Sequence, residues 1–422
     1  MSIAHLEAAE TATTSSFAQR LDKLAEVAVR VGLNLAAGQE LVITAPLEAV
    51  PLVRRITEHA YRSGATLVTT LYSDDETALA RFRFAPDESF DRAANWLHDG
   101  IATAYRNGAA RLGITGADPS LLSKQDPAKV GRANVASSKA SRPALELITK
   151  HSINWSIIAC ATPAWAKSVF PEDTESAAIE KLWDAIFRTS RIDTPDPVEE
   201  WKRHGAALHR RREFMNQKRY SALHFMSPIT DLRVGLAEDH LWQGGGSRAQ
   251  NGIECQPNIP TEEVFTTPHK DRVHGHVTST KPLSYQGTLI EGIRVKFEGG
   301  RVVEAKATNG ESVLQQMIST DEGACHLGEV ALVPHSSPIA SSGLLFWNTL
   351  FDENAASHIA LGQSYSTCMI NGDTAQRDDL FGRGANESLI HVDWMIGSHD
   401  MDVNGVRADG SEEPLMRKGD WV

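Results

Sequence analysis

Hydrophobic and polar residues follow one pattern up to about residue 220 and another beyond it. In the first part, apolar residues recur every three or four positions, as in 17–31, and predict amphipathic helices. Short apolar runs such as 40–44 and 66–72 lie between these segments and predict buried strands. Because strands that alternate with helices form β-α-β units, we expect an open, mostly parallel α/β sheet over residues 17–220.

Capping and turn residues set the limits of the other elements in this part. Thr162 followed by Pro163 predicts the start of a helix, with the threonine as cap. The further predicted helices are 49–61, 87–106, 129–140, 143–150, 175–189 and 197–218, and the further predicted strands are 110–115 and 154–159. Residues 1–16 are rich in Ala, Thr and Ser and are expected to form a flexible arm.

Beyond residue 220, short alternating segments are separated by Gly, Pro and Asn turns, which is typical of antiparallel strands. The predicted strands are 221–225, 231–235, 272–278, 293–297 and 301–305, followed by a strand-rich tail from 387 to 422. Glu298-Gly-Gly-Arg301 predicts a hairpin, and a helix is expected at 311–320. We therefore expect residues 221–422 to form a β-rich α+β domain.

Composition and charge narrow the classes of function. The chain has 422 residues, enough for two domains, and its net charge of −12 argues against a sequence-independent grip on nucleic acid. Its four cysteines lie far apart, which favours a reducing compartment over disulfides or a thiolate zinc site. Neither a signal-peptide pattern nor an apolar run of the roughly 20 residues needed to span a membrane is seen. We expect a cytoplasmic protein that acts on a small molecule or peptide.

The candidate chemistry consists of carboxylates and histidines spread over residues 258–395. His391-Val-Asp393 is the sharpest local signal, because residues i and i+2 of a strand point to the same face. Glu329 precedes an apolar run, and a carboxylate buried there needs a partner. Donors so widely separated in the chain cannot form a local zinc finger. If they converge, they predict a mixed oxygen and nitrogen site for hydrolytic divalent metals, and the β-rich domain would carry it.

Each of these residues also has a structural explanation. Glu262 and Glu263 are compatible with the first turn of a helix capped by Thr261. His358 lies among small and aliphatic residues, which is typical of a hydrogen-bonded core histidine, and the preceding Asp-Glu-Asn string is ambiguous. Tyr365 is compatible with an ordinary interface tyrosine. Taken alone, a His-x-Asp pair is more often exposed than bound to metal.

Four long motifs, in this order along the chain, resemble one known family. They are Asn-Ile-Pro-Thr-Glu-Glu-Val-Phe-Thr-Thr-Pro (258–268), Gly-Glu-Val-Ala-Leu-Val (328–333), Leu-Phe-Asp-Glu-Asn-Ala-Ala-Ser-His-Ile-Ala-Leu-Gly (350–362) and Asn-Glu-Ser-Leu-Ile-His-Val-Asp-Trp-Met-Ile-Gly (386–397). The family is that of the thermophilic metalloaminopeptidases, the group of aminopeptidase T and aminopeptidase S. The resemblance includes segments 183–191 and 240–246 and covers the chain except for the arm.

The resemblance implies an aminopeptidase that removes N-terminal residues from peptides with a free N-terminus. It implies two divalent ions (zinc, cobalt or manganese) and a homodimer with its sites facing an enclosed cavity. The implied metal ligands are Glu263, Glu329, His358, His391 and Asp393. The choice of Glu263 over Glu262 follows from the motif alone. We expect Glu329 to bridge the ions or to take the proton of the attacking water, and Tyr365 to donate to the oxyanion.

Two other classes of function remain open from the sequence. His358, His391 and Asp393 alone would satisfy the two-histidine, one-carboxylate triad of a mononuclear non-haem iron dioxygenase. A non-catalytic binding protein on the same scaffold is the third class. The number of metal ions per chain distinguishes the two-ion aminopeptidase from the dioxygenase. Absence of metal or of peptide cleavage would indicate the binding protein.

Overall fold

The computed structural model describes residues 16–285 and 288–422. The predicted flexible arm, residues 1–16, therefore lies outside the described residues apart from Ser16. The Ser16 hydroxyl accepts a hydrogen bond from the Gln19 N–H, and the Gln19 side chain accepts one from the Ser16 N–H. These two bonds form a capping box, so Ser16 belongs to the start of α1 (Phe17–Val27).

The first half of the described chain is a parallel sheet with helices. Its strands are β1 (Glu40–Pro46), β2 (Leu67–Ser73), β3 (Ala110–Thr115) and β4 (Trp155–Ala159). They pair in parallel in the order β2-β1-β3-β4, which confirms the predicted α/β sheet. The helices that follow α1 are α2 (Val50–Arg62), α3 (Asp75–Phe84), α4 (Asn95–Arg106), α5 (Pro127–Thr149), α6 (Pro163–Val169), α7 (Glu175–Thr189) and α8 (Pro197–Lys218).

Segment 87–106 is not the single helix that the sequence predicted. Asp87–Asp91 forms a 3-10 turn, an extended link follows, and α4 begins only at Asn95. The Arg132 guanidinium explains the break, because it donates to the carboxylates of the first and last residues of the turn at 2.8 and 2.9 Å. These contacts join residues 41 and 45 positions apart in the chain, and they fix a turn that the local pattern does not encode.

Segment 129–150 is one helix, α5, and not two. It contains Pro143, which removes the hydrogen bond to the carbonyl of Lys139 four residues earlier. Lys139 is exposed, so water can satisfy this carbonyl and the helix continues. Helix α3 has no counterpart among the predicted elements. It begins after Asp74, whose carboxylate accepts a hydrogen bond from the Thr77 N–H.

The second half of the described chain is rich in antiparallel strands. They are β5 (Ala222–Ser227), β6 (Thr230–Leu236), β7 (Ser247–Arg248), β8 (Glu254–Cys255), β9 (Val264–Thr266), β10 (Pro268–Thr278), β11 (Leu283–Tyr285), β12 (Thr288–Ile290), β13 (Arg294–Glu298), β14 (Arg301–Lys306), β15 (Leu327–Leu332), β16 (His358–Gly362), β17 (His391–Met395), β18 (Asp402–Val406), β19 (Glu412–Arg417) and β20 (Asp420–Trp421). The helices are α9 (Glu311–Ile318), α10 (Pro338–Ser342), α11 (Thr349–Asp352) and α12 (Arg377–Gly382).

These strands form two larger sheets. An eight-stranded sheet has the order β14-β13-β10-β6-β5-β18-β19-β20, and a four-stranded sheet has the order β17-β16-β15-β9. The predicted hairpin at 298–301 is confirmed, because it joins the antiparallel strands β13 and β14. The remaining strands pair as β7 with β8 and β11 with β12.

The two largest apolar cores of the described residues hold these layers together. One surrounds the parallel sheet and also contains Ile259, Phe346 and Phe351, so packing crosses residue 220. The other contains side chains of both the eight-stranded and the four-stranded sheet. The division into domains 17–220 and 221–422 stays a prediction. Of the helices in the described chain, none has the length and apolar character that a membrane span needs.

Candidate metal centre

Carboxylates and histidines occupy one face of the four-stranded sheet. Alternate residues of a strand point to opposite faces, and Ala360 of β16 lies opposite both Glu329 of β15 and Asp393 of β17. His391 likewise lies opposite Gly362. Because alanine and glycine are small, the larger polar side chains on either side of them have room to approach one another.

The other face of this sheet is apolar. Its side chains are buried in the core shared with the eight-stranded sheet and comprise Val264, Val330, Leu332, Ile359, Leu361, Val392 and Trp394. Burying one such aliphatic side chain stabilises the fold by about 1.5–3 kcal/mol. Since a slip of one residue would exchange the two faces, this burial fixes the register and with it the positions of the polar side chains.

Two groups of possible ligand atoms lie on the polar face, and Glu329 belongs to both. In the first, His358 Nε2 lies 3.3 Å from Glu263 Oε2 and 3.6 Å from Glu329 Oε1. In the second, His391 Nε2 lies 3.4 Å from Glu329 Oε2 and 3.5 Å from Asp393 Oδ1. The fold therefore brings together all five side chains that the sequence analysis named as ligands.

The orientation of the donor atoms fits divalent cations. The Nδ1 atoms of His358 and His391 lie 3.1 and 2.6 Å from backbone carbonyl oxygens, which leaves each Nε2 facing the carboxylates. Glu263 Oε2 and Asp393 Oδ1 are buried, and apart from the long contacts to His358 Nε2 and His391 Nε2 no described residue offers them a hydrogen bond. Buried carboxylate oxygens without a donor are unfavourable, and metal-binding histidines commonly bond a carbonyl through their other nitrogen.

The pKa values of these side chains show that the site attracts positive charge. Burial disfavours the charged form of Glu329, but His358 and His391 outweigh it and lower the pKa of Glu329 to about 2. Burial likewise opposes protonation of His391, but Asp393 and then Glu329 raise its pKa to about 11. The pKa of His358 is raised well above its ordinary value, because Glu263 and Glu329 overcome the effect of burial. The carboxylates thus favour cations in both groups.

The adjacent glutamates Glu262 and Glu263 have different partners. Both carboxylate oxygens of Glu262 accept hydrogen bonds from the Arg191 guanidinium, at 2.6 and 2.9 Å. His204 Nε2 lies 3.6 Å from the same carboxylate. Glu263 faces the first ligand group instead. Glu263 and not Glu262 is therefore the member of the pair that lies in a candidate ligand group, and its role as a ligand stays a prediction.

In the described chain no helix begins at Thr261, so the structural explanation of the glutamate pair as a helix N-terminus is wrong. The residues after Thr261 lead directly into β9. His204 Nε2 lies 2.8 Å from the Thr261 carbonyl oxygen, and the Glu262 N–H donates to Asn354 Oδ1 at 2.8 Å. These contacts with distant segments hold the backbone where the local sequence is compatible with a helix cap.

Tyr365 borders a cavity of about 360 Å³ that opens onto the polar face. The centroid of its ring lies 4.7 Å from that of His391 and 6.2 Å from that of Phe265. Loss of hydration in the cavity, followed by the negative charge of Glu329 and Asp393, raises the pKa of Tyr365 above its ordinary value. The phenol therefore keeps its proton and can donate a hydrogen bond into the cavity.

Glu353 is a carboxylate that the sequence analysis did not assign to the site. It lies in a short 3-10 turn after α11 and borders the same cavity as Glu263 and Asp393. Burial, and then the charges of these two carboxylates, raise the pKa of Glu353 well above its ordinary value. The Asp352-Glu353-Asn354 string was the available signal. The sequence could not separate its members, because Asp352 instead accepts backbone hydrogen bonds.

Known proteins resemble this chain over almost its whole length. The sequence profile described as "Thermophilic metalloprotease (M29)" matches residues 17–421. Aminopeptidase T of Thermus thermophilus is 53% identical over 408 residues, which cover 96% of this chain and 99% of the relative. Aminopeptidase AmpS of Bacillus subtilis is 42% identical over 407 residues, with coverage of 96% and 99%. The solved structure "Wild-type AmpT from Thermus thermophilus" superposes with a TM-score of 0.92 at 52% identity and covers 96% of this chain and 100% of that chain.

Proposed function

The chain belongs to the thermophilic metalloprotease family (M29), and on this premise we propose that it removes N-terminal residues from peptides with two divalent metal ions. Its relatives in the family are aminopeptidases, and the chain is accordingly a peptide-bond hydrolase. The candidate ligand groups of the structure supply the side chains that divalent ions require.

The observation that carries the two-ion proposal is the position of Glu329 between the ligand groups. Its Oε1 lies 3.6 Å from His358 Nε2, and its Oε2 lies 3.4 Å from His391 Nε2. A carboxylate that turns one oxygen to each group is suited to binding two ions at once. A single mononuclear triad would leave Glu263 and Glu329 without a function.

Different residues of the chain would have different roles in peptide hydrolysis. Bound divalent ions supply an activated water and polarise the scissile carbonyl. Glu329 would bind both ions or accept the proton of the attacking water. Tyr365, which keeps its proton, would donate to the oxyanion that develops on the substrate, and preorganised donors of this kind stabilise such charge effectively. Glu353 adds a further carboxyl group at the border of the cavity.

The metal ions themselves would favour cleavage at the N-terminus of a peptide. The cavity is bordered by Glu353 and by the candidate ligands Glu263, Glu329 and Asp393, whose charges two divalent ions would largely balance. The nitrogen of a free α-amino group can ligate such an ion, whereas the lone pair of a backbone amide nitrogen is delocalised and binds one poorly. This difference favours an exopeptidase over an endopeptidase.

The identity of the metal is proposed from the chemistry of the ligand atoms, and the oligomeric state and location from the family resemblance and the composition. Imidazole ligands favour zinc or cobalt over magnesium, and manganese also suits a site rich in carboxylates. We further propose a homodimer in the cytoplasm, as the family resemblance and the composition predict. Light scattering coupled to size-exclusion chromatography tests the dimer, and a mass of one chain would contradict it.

The iron dioxygenase alternative has no support. In the described residues, His358 falls in one candidate group, and His391 and Asp393 fall in the other. The relatives are aminopeptidases, which also argues against a non-catalytic binding protein.

A panel of aminoacyl amides, assayed with and without a chelator, tests the proposed function. We expect hydrolysis of leucine amide, its loss on chelation, and recovery when zinc, cobalt or manganese is added. N-acetyl-leucine amide is the matched control and should not be cleaved, because its amino group is blocked. Metal analysis should find two ions per chain. Activity that survives complete metal removal, or one iron with oxygen-dependent turnover, would refute the proposal.

A further inference from the structure

A basic wall of the cavity lies on the parallel sheet. Arg111 of β3 lies opposite Trp155 of β4, and both border the cavity that also reaches the candidate metal ligands. The Arg111 guanidinium carbon lies 5.8 Å from the centroid of the Trp155 ring. A Cβ atom added at Gly113 would lie 3.1 Å from Arg111 Nη2, so this glycine gives the guanidinium room to lie along the sheet.

Within residues 16–285 and 288–422, Arg111 has no carboxylate partner to balance its charge. Its polar side-chain partner is the Tyr105 hydroxyl, and no acidic side chain of the described residues forms an ion pair with it. Burial lowers the pKa of Arg111, yet a guanidinium stays charged in proteins. A partly buried cation without a counter-ion is unfavourable unless a ligand provides one.

His151 adds a second unsatisfied group to the same wall. Its Nδ1 atom is buried without a hydrogen-bond partner in the described part of the chain. The centroid of its ring lies 5.7 Å from that of Trp155, and His151 also borders the cavity. Two nitrogen-bearing side chains therefore flank one tryptophan: Arg111 lacks a carboxylate partner among the described residues, and His151 Nδ1 lacks any hydrogen-bond partner there.

We infer that Arg111, assisted by His151, binds a carboxylate of the peptide substrate within this cavity. One side of the cavity carries the candidate metal ligands, where the amino end of the peptide would bind, and the other side offers a guanidinium, which recognises carboxylates by paired hydrogen bonds. The cavity volume of about 360 Å³ lies near the small end of the roughly 300–1,000 Å³ typical of ligand pockets, which suits a dipeptide or tripeptide. The inference deepens the proposed function and rests on it.

The test compares substrates that differ by one carboxylate. Leu-Gly carries a terminal carboxylate, Leu-Gly amide carries none, and Leu-Asp amide carries one only on its side chain. We expect kcat/KM for Leu-Gly to exceed that for Leu-Gly amide by about 10- to 100-fold, the range of a hydrogen bond to a charged group. A comparable gain for Leu-Asp amide would identify a side-chain carboxylate as a second source of the same recognition.

Variants of Arg111 test whether this residue causes the preference for Leu-Gly over Leu-Gly amide. In Arg111→Met the ratio of kcat/KM for the acid to that for the amide should fall to about one, and in Arg111→Lys it should be intermediate, because lysine keeps the charge but loses the planar fork. Arg106→Met is the matched control, since Arg106 is exposed on α4 and outside the cavity, and it should keep the wild-type ratio. N-acetyl-Leu-Gly is not cleaved by an aminopeptidase, so calorimetry can measure its binding against that of its amide independently of turnover.

The outcomes separate this inference from the proposed function. Wild-type enzyme that cleaves leucine amide but shows no preference for Leu-Gly overturns the inference and leaves the aminopeptidase intact. The same holds if Arg111→Met lowers cleavage of the acid and the amide equally, or if acid and amide probes bind alike. Wild-type enzyme that cleaves none of these compounds at full metal loading refutes both.

Discussion

Along β15 and β17, neighbouring residues go to opposite faces of one sheet and have opposite surroundings. Val330 and Val392 are buried in the apolar core, whereas Glu329 and His391 approach to 3.4 Å across the polar face. The apolar face fixes the strand register, and the register sets the distances between the polar side chains. Substitutions on the polar face should therefore mainly lower activity, and substitutions on the apolar face should mainly lower stability.

Glu329→Gln should have the largest effect on activity. The substitution removes the charge shared by both ligand groups. Replacing a residue that only hydrogen-bonds a metal ligand typically lowers activity by roughly 10- to 100-fold. We expect kcat/KM of Glu329→Gln to fall by at least another order of magnitude. Steady-state kinetics at full metal loading, with circular dichroism to verify folding, measure it. Val330→Ala is the control from the other face, and its folded form should keep wild-type turnover. Near-normal turnover of Glu329→Gln would remove this residue from the mechanism.

Glu262 and Glu263 allow the same contrast between adjacent residues. Glu262→Gln breaks a buried ion pair with Arg191 and should lower the free energy of unfolding by about 3–5 kcal/mol while metal content is kept. Glu263→Gln should lower metal content with a smaller loss of stability. Urea unfolding measures the stability of both variants, and metal analysis measures their metal content. If Glu262→Gln loses metal and Glu263→Gln keeps it, Glu262 is the ligand.

Tyr365→Phe tests the proposed oxyanion donor. Loss of one such donor typically lowers kcat by about 10²- to 10³-fold, and KM should change little because the ring remains. The variant should keep its thermal stability, since Tyr365 borders a cavity and the residue as a whole is 42% exposed. A fall in affinity with unchanged kcat would place the hydroxyl in substrate binding instead.

Ile359→Val should have the smallest effect. Ile359 is fully buried on the apolar face, and loss of one methylene there should lower the free energy of unfolding by about 0.5–1.5 kcal/mol. Turnover of the folded enzyme should match the wild type, although the adjacent residue is His358. A substantial loss of kcat would show that the two faces are coupled.

The sequence predicted elements well where caps and composition agree. Helices α7 and α8 have the predicted bounds, because Thr174 and Asp196 each accept a backbone hydrogen bond at the N-terminus. His391 and Asp393 lie on a strand as expected, and Thr162 caps α6. In each case a local rule was sufficient.

The sequence failed where a distant residue determines the backbone or the surroundings of a side chain. The Arg132 contacts break segment 87–106, and Asn354 binds the backbone of Glu262. Glu353 could not be distinguished from its neighbours, because its place beside Glu263 depends on a contact between distant segments, in which the Glu262 N–H donates to Asn354 Oδ1. Long-range contacts of this kind leave no periodic pattern in the chain.

Anomalous diffraction from crystals of the zinc- or cobalt-loaded enzyme tests the central claim most directly. We expect two anomalous peaks per chain, one between Glu263, Glu329 and His358 and one between Glu329, His391 and Asp393. A single peak, or peaks away from Glu329, would contradict it.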